Sequence, residues 1–506
     1  VMPDWNPAEI IGTAPGSLAN SLYGYLITND VWALQRAEFG YRDIRPAPLI
    51  VNFAGRPYVD VRLSIASFIP KEINFELAGK FINNHLKYLT NNPHFHDKIE
   101  FNVVPTCISS NYFEWEKRLL NDNSISQENI TLLKTSLSKI TSNAFSRPVI
   151  ELQKVKELEK RQFNLRELNI SPIEKARLMI DNCKTFGTLP FAHLARCAFI
   201  AMELLNGSQT CGIITEEAKI SFLSSIRTVS HQFTDDLFLV SKGDMNFNEF
   251  LSIYGHLRPG TYDVTSDRYD VHPEYYIKDL DKNSLNQTRK VVSIDCWQSN
   301  KKKFLESLKS LGLPSDVNIV ENFLRDSIQG REYAKFVFTR SLSDALEQLV
   351  LVGDSYGLSR EDISNLSIEE LLSIRDSSMS NLDLREDLAR RSNINKKNRE
   401  LSAKCEFPPL ITKPSDLDCF FLGSDLPNFV GCSEVTAKCI HLSDDTNLQD
   451  ISFKDKIVLV EQADPGYDWL FAQGIVGLIT LYGGKNSHMA IRASEFHLPA
   501  AIGVGE

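Results

Sequence analysis

Near the end of the sequence, the string LYGGKNSHMAIRASEFHLPAAIGVG sets His488 directly behind a serine and a pair of glycines. The apolar run from Ile475 to Leu481 reads as a buried strand leading into Gly483-Gly484. Those glycines let the backbone turn tightly and approach a ligand closely. Ser487 is a good N-cap, so His488 falls in the first turn of the helix that follows, and Pro499 starts the next strand. A neutral imidazole is a nucleophile near physiological pH, its ordinary pKa being about 6.5. A helix N-terminus disfavours imidazolium and favours bound anions. A phosphoryl group on this ring would therefore meet free backbone N–H groups. The competing reading is a histidine that only helps to cap a helix; the glycines and the strand–loop–helix context weigh against it.

Three further strings carry chemistry-bearing side chains. YGHLRPGTYDVTSDRYD, residues 254–270, puts His256, Arg258 and Asp263 on a loop broken by Pro259-Gly260. Loops present side chains to ligands, and a salt-bridged structural turn is the equal alternative. Arg331 and Lys335, four apart in REYAK, share one face of a helix. Together they can grip a phosphoryl group, Arg331 through paired hydrogen bonds and Lys335 as a point charge; a solvated helix face is the plain alternative. Near the start, Arg45, Asp60 and Arg62 are charges inside otherwise apolar text. They suit a ligand carboxylate or amide, or each other.

The elements that must position these groups can be read in outline. PLIVNF, then Gly55-Arg56-Pro57, then YVDVRL reads as a hairpin. From about 75 to 400 the chain is mainly helical, as in FAHLARCAFIAMELL and YAKFVFTRSLSDALEQLVLVG. Asn/Ser clusters near 121–128 and 376–398 mark loops or mobile connections. After the proline-bearing CEFPPLITKPSD, apolar runs ending in glycine alternate with helix-like segments, which suggests a small α/β domain. The expected architecture is multidomain: a mainly α-helical substrate-binding domain with a small β element over 1–404, then a small α/β swivelling domain over 405–506.

The bulk properties bound the function. A chain of 506 residues exceeds one compact core. Its hydrophobic and charged fractions, 42% and 24%, fit a soluble globular protein. A net charge of −10, with no basic stripe, argues against nucleic-acid binding. No apolar run appears long enough to span a bilayer, and no signal-peptide pattern opens the chain, so a cytoplasmic, membrane-free protein is expected. The nine cysteines are scattered, odd in number and without zinc-like pairs, which reads as reduced thiols and no metal site. Both ends look cut, and a longer protein is expected on at least one side.

GGKNSHMAIRASEFHLPAAIGVG, preceded by Asp464-Pro465-Gly466, resembles the phosphohistidine motif of phosphoenolpyruvate synthase, pyruvate phosphate dikinase and rifampicin phosphotransferase. That resemblance implies His488 as the phosphorylated residue and Gly483, Gly484, Ser487 and Arg492 as the phosphate loop. Where the family has Ala-Arg-Glu, this chain reads Ala493-Ser494-Glu495, which leaves Arg492 as the available substitute. GHLRPGTYD resembles a segment of the rifampicin phosphotransferase substrate domain, and related enzymes carry Arg and Lys at the spacing of Arg331 and Lys335. Asn6 and Glu9 match an Asn-x-x-Glu turn at the junction after the ATP-binding domain. With DWNPAEIIG, GTLPFAHLARCAFIA and SHMAIRA, the likeness runs nearest to bacterial capsule L-glutamine kinases. It implies ATP and Mg²⁺, handled mainly by an ATP-grasp domain of the same protein. The sequence itself shows no Walker-type loop and no evident complete ATP-grasp core. The implied reaction passes the β-phosphoryl group of ATP to His488, with AMP and phosphate as products, and then to the glutamine side-chain amide. Arg331 and Lys335 would stabilise the moving group and His256 would serve as base. Arg258, Asp263, Arg45, Asp60 and Arg62 would bind the acceptor, alongside Asn6 and Glu9 at the junction. The alternatives are an antibiotic or other small-molecule phosphotransferase, or a non-catalytic phosphocarrier module.

Overall fold

Small polar residues write most of the helix starts. Asn74, Ser126, Ser171, Thr215, Asp316 and Ser380 each accept a hydrogen bond from a backbone N–H in the first turn of the helix they precede. The computed structural model describes residues 7, 10–95, 98–277, 294–405, 407–408, 410–418, 427–431, 433–442, 451–462, 464–484 and 487–505. The architecture is multidomain and mostly helical, with a small β-sheet domain at the C-terminal end. Ser380 starts a helix over Asn381–Ala403, so most of the Asn/Ser-rich stretch expected to be a loop is helical.

The hairpin forms, but it is shorter than its sequence suggests. Strands β1 (Ile50–Phe53) and β2 (Arg56–Val59) pair antiparallel, Phe53 opposite Arg56, through a two-residue turn at Ala54-Gly55. Both turn residues have positive φ, 46° and 80°, as hairpin turns that match strand twist require. Strand β2 stops because Asp60 caps a new helix, Val61–Ala66, by accepting from the Leu63 amide at 3.0 Å.

Two cores fill the helical body. One joins Phe39–Phe145 with parts of 197–226 and 297–324; the other joins the first helices with 155–194 and 334–388. The long helix Val317–Ser355 enters both, and its 39 residues span about 58 Å at 1.5 Å per residue. The helical stretch Pro172–Thr210 is, against the sequence reading, long and apolar enough to cross a membrane by length and composition. Its apolar window is 61% buried inside the protein, as in the core helix of a soluble protein.

Near the C-terminus five strands form one sheet in the order β3 (Asn428–Val430), β7 (Ala500–Ile502), β6 (Gly477–Thr480), β5 (Ile457–Val460), β4 (Cys439–Leu442). Only β3 runs antiparallel to its neighbour. Strands β5 and β6 are parallel and adjacent, so the loops leaving their C-terminal ends lie side by side, where open α/β sheets place ligands. The third core unites this sheet with Phe233–Ile277, across the division expected at residue 405.

The two parts interlock at the DPG turn. Asp464 caps its own turn through the Gly466 amide at 2.8 Å and accepts from Thr261 Oγ1 at 2.9 Å. The Tyr269 hydroxyl donates to the Gly466 carbonyl at 2.6 Å. A Cβ on Gly466 would lie 1.9 Å from the Arg258 carbonyl oxygen, so only glycine fits. Gly466→Ala is therefore expected to weaken seating of the small domain by about 1–3 kcal/mol, the usual cost of overpacking. Denaturant unfolding combined with limited proteolysis would register the loss as earlier separation of the two parts.

Candidate active site

The loop after β6 turns at Gly483, whose φ is 136°, and delivers Ser487, whose hydroxyl accepts from the Ala490 amide at 3.2 Å. His488 then opens the helix His488–Glu495 and is buried. Its Nε2 lies 2.7 Å from Asp468 Oδ1, on the turn that follows β5. Its Nδ1 lies 3.4 Å from Glu332 Oε2, on the long helix of the helical body. Arg492, one turn further along the helix that His488 opens, donates to Asp468 Oδ1 at 3.3 Å and to Thr234 Oγ1 at 3.0 Å, and pairs with Glu495.

These carboxylates reverse the electrostatic expectation for the histidine. Burial disfavours its charged form, but Asp468 and Glu332 outweigh burial and raise its pKa to about 9. In this arrangement His488 is an imidazolium, not the neutral ring that the helix N-terminus alone would favour. Glu332 is the complement: burial pushes it up, yet Arg331, His488 and Lys335 bring it down to about 2. Whichever ring nitrogen takes a phosphoryl group, the other faces a carboxylate.

His488 borders a cleft between the two parts. Glu332, Lys335, Phe336, Thr339 and Ser343 supply one wall from successive turns of the long helix. Val229, Phe233, Tyr254 and Leu257 make much of the opposite side apolar. Asp468 and Gly466 close the end near the histidine.

Most of the strings singled out from the sequence converge here. Lys335 lines the cleft, with Asp464 and Glu332 within electrostatic reach of its ammonium. Arg331 lies one residue before Glu332 and pairs with its Oε1 at 3.1 Å. His256 lines the cleft and is buried, and its Nδ1 accepts from Arg340 Nε at 3.4 Å. Among the described residues its Nε2 has no hydrogen-bond partner. That pattern puts the neutral ring's proton on Nε2. Burial, then the Arg340 and Arg268 charges, hold its pKa well below 6.5. His256 is thus arranged as a donor rather than as the expected base.

Other expected ligand groups are used by the fold. Arg258 is buried at the cleft edge, but its Nη2 donates to Glu347 at 2.7 Å and to Ser343 Oγ at 3.1 Å, while Nη1 reaches two backbone carbonyls. Asp263 Oδ1 accepts from the Thr265 amide and hydroxyl, which closes a turn. Arg45 pairs with Asp43 at 2.6 Å, Asp60 caps a helix, and Arg62 donates to Asn83 at 3.2 Å; none of the three lines the cleft. Arg492 is engaged with Asp468, Glu495 and Thr234 rather than open to a phosphate. Gly484 accepts from the Ser487 amide at 3.0 Å, which tightens the loop. Asn6 and Glu9 lie outside the described residues.

Two residues absent from the sequence reading dominate the site: Asp468 and Glu332. Glu332 stands inside the REYAK string, and the 332, 335, 336, 339 spacing marks the cleft-facing stripe. Asp468 follows the DPG turn by two residues, but its contact with His488 requires the β5–β6 pairing.

This geometry has a counterpart among known families. Residues 453–506 match the PEP-utilising enzyme mobile domain. The matched stretch contains Asp468, His488 and Arg492, so the mobile domain holds the histidine and its nearest carboxylate. The chain is also 27% identical over 322 residues to rifampicin phosphotransferase of Bacillus cereus, covering 56% of this chain and 34% of the relative. It is 26% identical over 283 residues to rifampicin phosphotransferase of Bacillus subtilis, covering 51% of this chain and 31% of the relative. The chain thus spans about a third of the length of these relatives. Both are named phosphotransferases, and the mobile domain belongs to PEP-utilising enzymes.

Proposed function

We propose that this chain is the acceptor-binding and carrier portion of an ATP-dependent phosphotransferase, with His488 bearing the phosphoryl group. The observation that carries the reading is the placement of His488 on a mobile-domain helix, facing the cleft beside Lys335. A carrier histidine splits transfer between distant sites into two in-line displacements. In the first, the ring parts from Glu332 and loses the Nδ1 proton to solvent, and the freed nitrogen attacks a phosphorus of ATP as the P–O bond to the leaving group breaks, at an ATP-binding part of the same protein. Mg²⁺ there would neutralise charge on the ATP phosphates. Among the described residues no three His, Cys, Asp or Glu side chains are grouped to hold a metal ion, and the steps in the cleft follow from its own side chains.

In the second displacement the acceptor attacks phosphorus, the N–P bond breaks and the acceptor loses its proton. Lys335 faces the phosphoryl oxygens as their charge shifts. Glu332 is the nearest carboxylate on the acceptor side. It is weakly basic while it faces an imidazolium, and its basicity rises once the ring carries phosphate instead of a proton. The protonated product ring then settles between Asp468 and Glu332.

The cleft wall of Val229, Phe233, Leu257 and Phe336 favours an acceptor with an apolar body, and the relatives named above are named for rifampicin. L-glutamine, the acceptor implied by the sequence, loses residue support because Arg45, Asp60 and Arg62 lie away from the cleft. The test is phosphorus NMR of the longer protein with ATP, Mg²⁺ and either glutamine or rifampicin-like hydroxyl compounds. A phosphate-ester signal supports the apolar-acceptor reading, a phosphoramidate with glutamine supports the other, and absent ATP turnover sinks both in favour of a carrier module.

A further inference from the structure

We infer that Asp468, anchored by Arg492, is the positioning residue of His488, fixing the orientation of the ring and keeping a proton on it as the small domain moves. The inference rests on the reading that His488 carries the phosphoryl group. Its basis is the different origin of the two carboxylates. Asp468 sits on the turn after β5 and His488 on the helix after β6, neighbouring loops of one sheet, so they stay together wherever the small domain goes. Glu332 belongs to the long helix of the helical body and meets the ring only when the small domain is seated.

Asp468 is itself held in place. It is buried, and the Arg492 guanidinium reaches the same oxygen that meets Nε2. Arg492 is in turn fixed by Glu495 on its own helix and by Thr234 on the helix Val229–Lys242. Among the described residues, the charged groups around the ring are Asp468 from the turn, Glu332, its partner Arg331 and Lys335 from the long helix, and Arg492 and Glu495 from the helix that carries His488. His231, on the helix Val229–Lys242, stands 3.8 Å from Glu495. Of these, Asp468 makes the shortest contact with the ring, 2.7 Å.

The chemical consequence concerns the leaving group. When the N–P bond breaks, a ring with a proton on its other nitrogen departs as neutral imidazole, and one without it departs as an anion. With phosphorus on Nδ1, Asp468 holds the proton on Nε2. The inference therefore assigns phosphorus to Nδ1, the nitrogen that faces Glu332 when the small domain is seated, and leaves Asp468 in place on Nε2 throughout.

The test is an imidazole ¹⁵N NMR titration of the 506-residue chain, with the His488 signal assigned by its loss in His488→Ala. The parent ring is expected to titrate near 9. Asp468→Asn is expected to lower that value by about one to three units, the usual effect of removing one adjacent opposite charge. Asp468→Glu, which keeps the charge, is expected to restore much of it. An Asp468→Asn ring that titrates as the parent does would overturn the positioning role. A second readout needs no variant at Asp468: the parent should show a downfield Nε2–H proton typical of a carboxylate-bound imidazole, and its absence also overturns the proposal. Failure of His488 to label with β-labelled ATP in the longer protein would instead refute the carrier function, and the titration distinguishes the two.

Discussion

In the longer protein proposed to supply ATP binding, His488→Ala is expected to abolish acid-labile labelling by β-labelled ATP and to reduce acceptor phosphorylation to background. The proposed displacement needs a ring nitrogen at this position, and among the described residues lining the cleft no other histidine is placed to take over. His256, the other histidine lining the cleft, is buried and has Nδ1 committed to Arg340. Its pKa is held well below that of a free imidazole, and no carboxylate holds its ring. The loss would not be unfolding in disguise, because the Ser487 cap on the Ala490 amide is untouched by the change. Removing the imidazolium does leave Asp468 and Glu332 without their shared counter-charge, so seating of the small domain weakens as well. Labelling isolates the first effect from the second, because the first displacement takes place away from this cleft. Acid-labile label that survives at the parent level in His488→Ala sinks the assignment.

The contrast between His488 and the groups expected around it shows what a sequence can carry. The helix that carries His488 was legible because its signals are local: glycines that permit the turn, a serine that caps, and a proline immediately before β7. The hairpin was legible for the same reason. The end of β2 was not, since Asp60 reads equally as a ligand or as a cap until the Leu63 amide is in place. Arg45 and Arg258 were ambiguous for a related reason. A charge in apolar text must be neutralised by something, and only the fold tells whether that is a ligand, Asp43 or Glu347. Asp468 and Glu332 lay beyond the text because each meets His488 through distant pairing, one across neighbouring strands and the other across two domains. The expected neutral imidazole went with them, since a helix terminus was weighed without the carboxylates opposite it.

Lys335→Ala should leave labelling of His488 intact and slow transfer to the acceptor by about a hundredfold, the scale of losing one donor to a developing charge. The side chain lines the cleft from the same helical face as Glu332 and Phe336. It lies between two acids of opposite character. Burial raises the pKa of Asp464, while Glu332 is held as a carboxylate. A phosphoryl group brought in on His488 would place further negative charge beside Glu332, and Lys335, which lines the cleft along with the already paired Arg258, is the cation expected to offset it. Arg331 plays a different part: it pairs with Glu332 and is not among the residues lining the cleft. Arg331→Ala should therefore act through the carboxylate, changing the pH dependence of transfer more than its maximal rate. Lys335→Met, which keeps the length of the chain without its charge, separates electrostatics from packing. If single-turnover transfer from the phosphorylated Lys335→Met protein matches the parent rate, Lys335 belongs to the cleft wall and the moving charge is met by another group.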